Sequence, residues 1–140
     1  MDNRKHYFMV IDTETANTLE QPFVYDIGGV ICDKAGNIYE RFSFVIRDIF
    51  VDESELMKSA YYYEKVPTYW NDIWTHKRTL TTFYNARKYI LNLIDEYNIK
   101  DVCAYNASFD LNALNTTQRW LSKSKYRYFF PYGLRHKKHK

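Results

Sequence analysis

A short apolar run that ends on two acidic residues constrains the fold of this chain most strongly. Residues 7–11 (YFMVI) are consecutively apolar, which predicts a strand buried on both faces of a sheet. Strand-like segments follow at 24–32 and 38–46, and the turn-forming residues 33–37 between them predict an antiparallel hairpin. The first strand therefore belongs at the centre of a sheet, with a hairpin at one side.

The second half of the chain has a helical pattern. Apolar side chains recur every three or four residues between Thr81 and Tyr97, which predicts an amphipathic helix with Thr79 or Thr81 as its cap. Residues 101–105 predict a fourth strand and residues 107–121 a second long helix, with Asn106 at the cap position. The order strand, strand, strand, helix, strand, helix indicates an α/β protein with a mixed sheet.

Length and composition limit the class of protein. The 140 residues suit one domain, and no apolar run approaches the roughly 20 residues that a membrane helix needs. The N-terminus has no apolar signal core, and Cys32 and Cys103 each lie within an apolar run. We therefore expect buried free thiols and a cytoplasmic protein with no membrane association.

The charge is distributed unevenly along the chain. Residues 1–110 contain 12 basic and 17 acidic side chains, a net charge of −5, whereas residues 111–140 carry eight basic and no acidic ones. The basic end is either a phosphate-binding surface or a solvated terminus. The division predicted from the sequence is a domain at 1–125 followed by a basic segment at 126–140.

Three acidic residues stand out by position. Asp12 and Glu14 are two residues apart at the end of the first strand, so they point the same way on an extended chain. Asp110 falls in the first turn of the helix after the fourth strand, where it also complements the helix dipole. Parallel neighbouring strands would bring all three acids to one sheet edge, where Mg²⁺ or Mn²⁺ would offset their repulsion. Asp26 is not counted among the ligands, because strand alternation leaves its direction open.

The segments VIDTET and AYNASFD, together with VYDIGGV at 24–30, resemble the motifs of the DnaQ-like, or DEDD, 3′–5′ exonuclease superfamily. The resemblance spans residues 7–121 and implies a ribonuclease-H-like fold. It also implies release of nucleoside 5′-monophosphates from 3′ ends of single-stranded DNA or RNA by two-metal-ion hydrolysis. A polymerase or another protein would be a further partner, and the composition suggests a bacterial or phage source.

The resemblance assigns roles to individual residues. Asp12 would bridge two Mg²⁺ or Mn²⁺ ions, Glu14 would hold the first ion, and Asp110 would support the second. Four further residues match positions near the terminal nucleotide or its loop, and these are Thr15, Ala16, Asn106 and Phe109.

The sequence departs from the family pattern at its C-terminal end. The family has a fifth strand and a final helix with a fourth carboxylate and a His or Tyr general base. Neither element is visible in this sequence, no Asp or Glu follows Asp110, and the late residues His136 and His139 do not precede an acid. Three explanations are open. The chain is a fragment of a longer enzyme, or it is a natural remnant that binds nucleic acid or protein without cutting, or its site is completed by another chain or by an earlier acid. We favour the first explanation.

Three functional hypotheses remain open at this point. The chain is an exonuclease domain, weak or inactive by itself; or a catalytically incomplete module of the same fold that binds nucleic acid or a protein; or a structural domain with incidental acids. Preference for DNA or RNA, oligomeric state and pathway are not encoded in any pattern that we recognise.

Overall fold

The computed structural model describes residues 4–122 and 127–138, which form one six-stranded sheet with helices packed against it. In chain order, the elements are β1 (Tyr7–Asn17), β2 (Pro22–Asp33), β3 (Ile38–Ile46), α1 (Arg47–Phe50), α2 (Ser54–Met57), a 3₁₀ turn (Tyr63–Lys65), α3 (Val66–Trp74), β4 (Thr79–Thr81), α4 (Phe83–Glu96), β5 (Asp101–Ala104), α5 (Ala107–Ser122) and β6 (Arg135–Lys138).

The sheet is mixed, with strand order β4-β3-β2-β1-β5-β6. β1, β2 and β3 are antiparallel neighbours, whereas β5 runs parallel to β1 and β6 parallel to β5. This arrangement confirms the predicted ribonuclease-H-like mixed sheet, with β4 added parallel to β3 at the outer edge. No helix in the described part of the chain combines the length and apolarity needed to cross a bilayer.

The predicted hairpin is formed by β2 and β3 around a tight turn. Gly36 adopts a positive φ of 87°, a conformation that costs little without a side chain. The Asp33 carboxylate closes the turn by accepting hydrogen bonds from the backbone N–H groups of Ala35 and Asn37, both at 3.0 Å. Local side-chain bonds of this kind explain why the turn was recognisable in the sequence.

The core lies mainly between the sheet and the two long helices. Met9 and Ile11 on β1 are almost fully buried on this face, and Ile90 of α4 and Leu114 of α5 are fully buried. α5 is also fixed to β2 by a hydrogen bond from the backbone N–H of Val24 to the Thr117 hydroxyl, at 3.0 Å. This face of the sheet therefore sets the position of α5 relative to β1 and β2.

The fifth strand, expected to be missing, is present as β6. Arg135–Lys138 pairs with β5 in parallel register, and its entry is fixed by a hydrogen bond from the Arg135 N–H to the Lys100 carbonyl at 2.8 Å. The sequence RHKK hides this strand because its four exposed, polar side chains lack the apolar alternation of a buried strand. The family's final helix has no counterpart within residues 127–138.

The segment before β6 packs against the rest of the domain. Phe129 and Phe130 are 0% and 5% exposed and belong to the main core. The backbone N–H of Phe129 donates to the Asn115 side chain at 2.8 Å, and its carbonyl accepts from Arg87 at 2.9 Å. The described part of the predicted basic segment at 126–140 is thus continuous with the core; His139 lies outside the described residues.

The cap of α4 differs from the one predicted. Thr79 and Thr81 form the ends of the short strand β4, and the Thr82 hydroxyl caps the helix by accepting from the backbone N–H of Asn85 at 3.1 Å. Three threonines close together made the choice ambiguous in the sequence, and the pairing of β4 with β3 decides it.

Candidate active site

Asp12 and Glu14 lie on the same face of β1, as their spacing predicted. Asp12 is exposed, and Glu14 is partly buried. The antiparallel register pairs Asp12 with Gly28 and Glu14 with Asp26 on β2. The cross-strand pairing therefore places a third carboxylate, Asp26, beside Glu14.

Glu14 has an unusual electrostatic environment. Burial raises the pKa of its carboxyl group from 4.5 to about 7, and the nearby charges of Asp12, Asp26 and Asp110 contribute to the rise in that order of size. Lys65 acts in the opposite direction but is outweighed. A carboxylate disfavoured by both desolvation and like charge is a candidate for a functional site.

Asp110 reaches β1 from the start of α5. The helix begins when the Asn106 carbonyl accepts from the Asp110 N–H at 3.0 Å. The Asp110 side chain is 6% exposed and accepts a hydrogen bond from the Thr13 hydroxyl at 2.5 Å. Burial raises the pKa of Asp110, the bond from Thr13 partly offsets this effect, and the charge of Asp12 adds to it.

The three predicted acids therefore lie within each other's electrostatic influence, but they do not form a ready-made metal cage. In residues 4–122 and 127–138, no group of three or more His, Cys, Asp or Glu side chains is arranged to hold a metal ion. One Asp110 oxygen is occupied by Thr13, which alternates with Asp12 and Glu14 along β1 and so lies on the other face. The charge and the oxygen chemistry of the donors suit Mg²⁺ or Mn²⁺, whereas their positions would have to tighten around an ion.

Asp26 is the acidic residue that sequence reasoning left out. Its carboxylate is 7% exposed, and one oxygen accepts from the Tyr69 hydroxyl at 2.5 Å and from Arg78 at 2.9 Å. Burial raises the pKa of Asp26, and these two donors work against that rise. Arg78 also donates to Asp72 at 3.1 Å and lies over the Tyr69 ring at 4.3 Å. The direction of Asp26 was encoded only in the β1–β2 register, which the sequence alone did not supply.

A groove of about 580 Å³ runs beside Asp12, Glu14 and Asp26, whereas Asp110 is not among the residues that line it; the 3₁₀ turn and α3 form one of its walls. Its lining includes Asp12, Glu14 and Asp26 as well as two cations, Lys65 and Arg78. The Lys65 ammonium lies over the Tyr62 ring at 4.4 Å. A groove with carboxylates on its floor and cations on its wall can bind a metal ion together with a phosphate group.

The other residues singled out in the sequence occupy different environments. Thr15 is partly exposed and Asn106 is exposed, whereas Phe109 packs partly against the core and Ala16 is only 2% exposed. Their contact with a terminal nucleotide stays a prediction. His136, on β6, packs against the Phe130 ring, and burial lowers the pKa of its imidazole.

Comparison with known proteins gives little beyond this geometry. No protein-family model matches the sequence, and no curated protein matches it. Among solved structures, the chain is similar to Escherichia coli Exonuclease I, which was crystallised with a dA16 oligonucleotide. The TM-score is 0.49 at 13% identity, and the match covers 82% of this chain and 24% of that one. The chain thus spans about a quarter of the length of that protein. Because the similarity is this low, we infer the role of the site from the residues of this chain alone.

Proposed function

We propose that this chain is the catalytic domain, or a part of the catalytic domain, of a divalent-metal-dependent 3′–5′ exonuclease. The observation that carries the proposal is the environment of Glu14, whose pKa is raised to about 7 by burial and by Asp12, Asp26 and Asp110. Holding several carboxylates in one another's field costs stability unless a cation binds them. In a metal-dependent hydrolase, the bound cations would offset this cost and take part in the reaction.

Each acid would have a distinct part in binding the ions. Asp12, exposed on β1, presents its oxygens to the groove, and Glu14 lies beside it on the same face. Asp110 keeps one oxygen bonded to Thr13 and would contribute through the other, directly or through water. Bound Mg²⁺ or Mn²⁺ would supply an acidified water and neutralise charge on the phosphate.

The cations of the groove suit a phosphodiester substrate. Lys65 lies close enough to Glu14 to lower its pKa, so a phosphate bound near the acids would feel the same positive charge. Arg78 is held by Asp26 and Asp72, which fixes its guanidinium at the wall of the groove. Nucleoside 5′-monophosphates released from DNA or RNA 3′ ends are the products proposed.

A second candidate function is a nucleic-acid-binding module of the same fold that does not cleave. One observation favours it: within residues 4–122 and 127–138, no group of three or more His, Cys, Asp or Glu side chains is preassembled to hold a metal ion. Asp26 is a poor replacement for the missing carboxylate because Arg78 and Tyr69 already occupy one of its oxygens. Losing even supporting groups around a metal commonly costs roughly 10–100-fold, so we expect the 140-residue chain alone to show weak activity or none.

Calorimetric titration with Mn²⁺ separates these possibilities from a purely structural role for the acids. The wild type is compared with the double variant Asp12→Ala, Glu14→Ala and with Glu20→Gln, which removes an exposed acid outside the site. We expect Mn²⁺ binding to be lost in the double variant and kept in Glu20→Gln. Unchanged binding in a correctly folded double variant would show that the acids are incidental.

Incubation with 5′-labelled single-stranded DNA or RNA in Mn²⁺ then tests for cleavage. Stepwise shortening from the 3′ end that stops in Asp12→Ala supports the exonuclease. Mn²⁺ binding and oligonucleotide binding without shortening support the non-cleaving module. Rapid, complete degradation would contradict the expectation of weak activity and would mean that three acids suffice.

A further inference from the structure

Arg78 joins three segments of the chain at the wall of the groove. It directly precedes β4, and its guanidinium donates to Asp26 of β2 at 2.9 Å and to Asp72 of α3 at 3.1 Å. Its backbone N–H also donates to the Asp72 carbonyl at 3.2 Å. The guanidinium lies 4.3 Å from the centre of the Tyr69 ring. Two carboxylates and an aromatic face thus hold this planar cation in one orientation.

Asp26 uses its two carboxylate oxygens unequally. Oδ2 accepts from Arg78 and, at 2.5 Å, from the Tyr69 hydroxyl, whereas Oδ1 accepts no hydrogen bond from the described residues. The Asp26 side chain is 10% exposed and lines the groove. Burial of a carboxylate costs free energy unless a cation or hydrogen-bond donors compensate for the lost water. Arg78 therefore supplies the positive charge that Asp26 needs when no metal ion is bound.

The position of Asp26 would otherwise suit a metal ligand. It faces Glu14 directly across β1 and β2. Side chains in such positions have Cβ atoms roughly 4.5–5.5 Å apart, and a divalent ion about 2.0–2.6 Å from each oxygen ligand can bridge such a pair. The charge of Asp12 also acts on both carboxyl groups. Within residues 4–122 and 127–138, however, no three such side chains are arranged to hold an ion.

We propose that Arg78 excludes Asp26 from the metal site by acting as its resident cation, which leaves Asp12 and Glu14 as the acids that bind the ion from the central strands. Arg78 is therefore a positioning residue that sets the number of acidic ligands. A site with fewer carboxylates keeps coordination positions for water and for phosphate oxygens, as is usual for Mg²⁺. The inference rests on the proposed function for the identity of the ion and adds what limits its ligands.

A purely structural role for Arg78 makes a different prediction. If the guanidinium only ties α3 to the sheet, its loss loosens the groove and leaves Mn²⁺ binding unchanged or weaker. If it excludes Asp26, its loss releases an acid beside Glu14 and tightens Mn²⁺ binding. Lys65 provides a matched charge control, because it lines the same groove and its charge acts on Glu14.

Calorimetric titration of the full 140-residue chain with Mn²⁺ tests the proposal. The variants are Arg78→Gln, Asp26→Asn, the double variant that carries both, and Lys65→Gln. We expect Arg78→Gln to bind Mn²⁺ at least about tenfold more tightly than the wild type, because an added charged ligand strengthens a site of this kind. Lys65→Gln should change the affinity less than about fivefold, the range for an exposed charge. The double variant, which has the net charge of the wild type, should lose the gain, and Asp26→Asn alone should show none.

Circular dichroism and melting curves establish that each variant folds. If Arg78→Gln does not fold, Arg78→Lys carries the test, because it keeps the charge but loses the planar fork that holds Asp26 and Asp72 together. Its affinity for Mn²⁺ should exceed that of the wild type, and this gain should again be lost when Asp26→Asn is added.

Mn²⁺ binding that is unchanged or weaker in a folded Arg78→Gln variant would overturn the inference. A gain that persists in the double variant would also overturn it, because ligation by Asp26 would then not explain the gain. If the wild type binds Mn²⁺ through Asp12 and Glu14 and Arg78→Gln shows no gain, only this inference fails. If the wild type binds no Mn²⁺ but Arg78→Gln binds it through Asp26, the inference is supported and the proposed function fails. If neither protein binds Mn²⁺, both fail.

Discussion

Glu14 and Asp26 face each other directly across β1 and β2, so two carboxyl groups occupy one cross-strand position on the same face. Like charges in this arrangement destabilise a sheet. Arg78 and Tyr69 compensate Asp26, whereas Glu14 has no hydrogen-bond donor of this kind among the described residues. In this pair, hydrogen bonds stabilise the ionised form of Asp26, whereas burial and neighbouring carboxylates destabilise the ionised form of Glu14.

The raised pKa of Glu14 predicts that the stability of the protein depends on pH. Because the folded pKa, about 7, is above the ordinary value of 4.5, the folded state binds more protons than the unfolded state between these values. Stability contributed by protonated Glu14 is therefore lost as pH rises from about 4.5 to 7. We expect Glu14→Gln to melt at nearly the wild-type temperature at pH 4.5 and on the order of 2 °C higher at pH 8, without metal.

Differential scanning calorimetry across this pH range provides the measurement, with Glu20→Gln as the control that should show no pH-dependent difference. Addition of Mn²⁺ should raise the melting temperature of the wild type more than that of Glu14→Gln. A constant difference between the wild type and Glu14→Gln at every pH would contradict this account of Glu14.

The bond from Thr13 to Asp110 predicts a loss of stability when the hydroxyl is removed. Thr13→Val keeps the shape but leaves a buried carboxylate without one of its donors, which should lower the free energy of unfolding by about 1–3 kcal/mol. Thr13→Ser keeps the donor and should cost less. Urea denaturation of both variants makes the comparison; wild-type stability in Thr13→Val would show that the hydroxyl donor to Asp110 does not stabilise the fold.

The ion pairs of Asp101 with side chains of β6 indicate how that strand is attached to the sheet. Burial pushes the pKa of this 1% exposed acid upward, but hydrogen bonds from Arg135 and His6 outweigh that effect and hold its pKa below 3.8. Its stabilising contribution is present above the unfolded pKa and is lost as pH falls through the lower folded value. Asp101→Asn should lower the free energy of unfolding at neutral pH by about 1–2 kcal/mol, discounted because Arg135 is largely exposed.

Hydrogen exchange gives a local test of the Asp101 prediction. The amides of β6 should lose protection in Asp101→Asn before those of β1 and β2. Asp95→Asn, an exposed acid on α4, serves as the control and should leave β6 unchanged. Retained protection of β6 in Asp101→Asn would show that backbone pairing with β5 suffices to hold the strand.

The two adjacent glycines of β2 predict opposite responses to one methyl group. Gly29→Ala forces a Cβ against the Phe42 ring and the Val10 backbone and should destabilise the protein by about 1–3 kcal/mol. Gly28→Ala meets no such obstacle and should fold with nearly wild-type stability. Thermal melts of the two variants decide; equal destabilisation would mean that Gly28 also serves the packing of the sheet.

Sequence reasoning succeeded where local patterns determine structure. The strand 38–46 was predicted with its observed bounds, and the helix at 107–121 differs from α5 by one residue, because hydrophobic periodicity and turn residues mark both. β1 continues to Asn17, well past the apolar run, since its polar half is held by pairing with β2. Such pairing is a long-range property that a strand's own residues do not reveal.

At the candidate site, too, the sequence did not reveal what depends on contacts between distant parts of the chain. Spacing alone correctly placed Asp12 and Glu14 on one face. The direction of Asp26 depends on the β1–β2 register, which shifts at an irregularity between Glu14 and Thr15, and the engagement of Asp110 by Thr13 depends on how α5 packs. Neither follows from motif spacing, so the sequence identified the acids but not their partners.

The charged strand β6 has a consequence for solubility. Its outer edge has no neighbouring strand among the described residues, and all four of its side chains are exposed and basic or imidazole-bearing. An unpaired strand edge invites pairing with another molecule, and a dense positive charge repels an identical edge that approaches it. Replacing Lys137 and Lys138 with apolar residues would thus leave an unprotected strand edge, through which molecules of this protein would pair and aggregate.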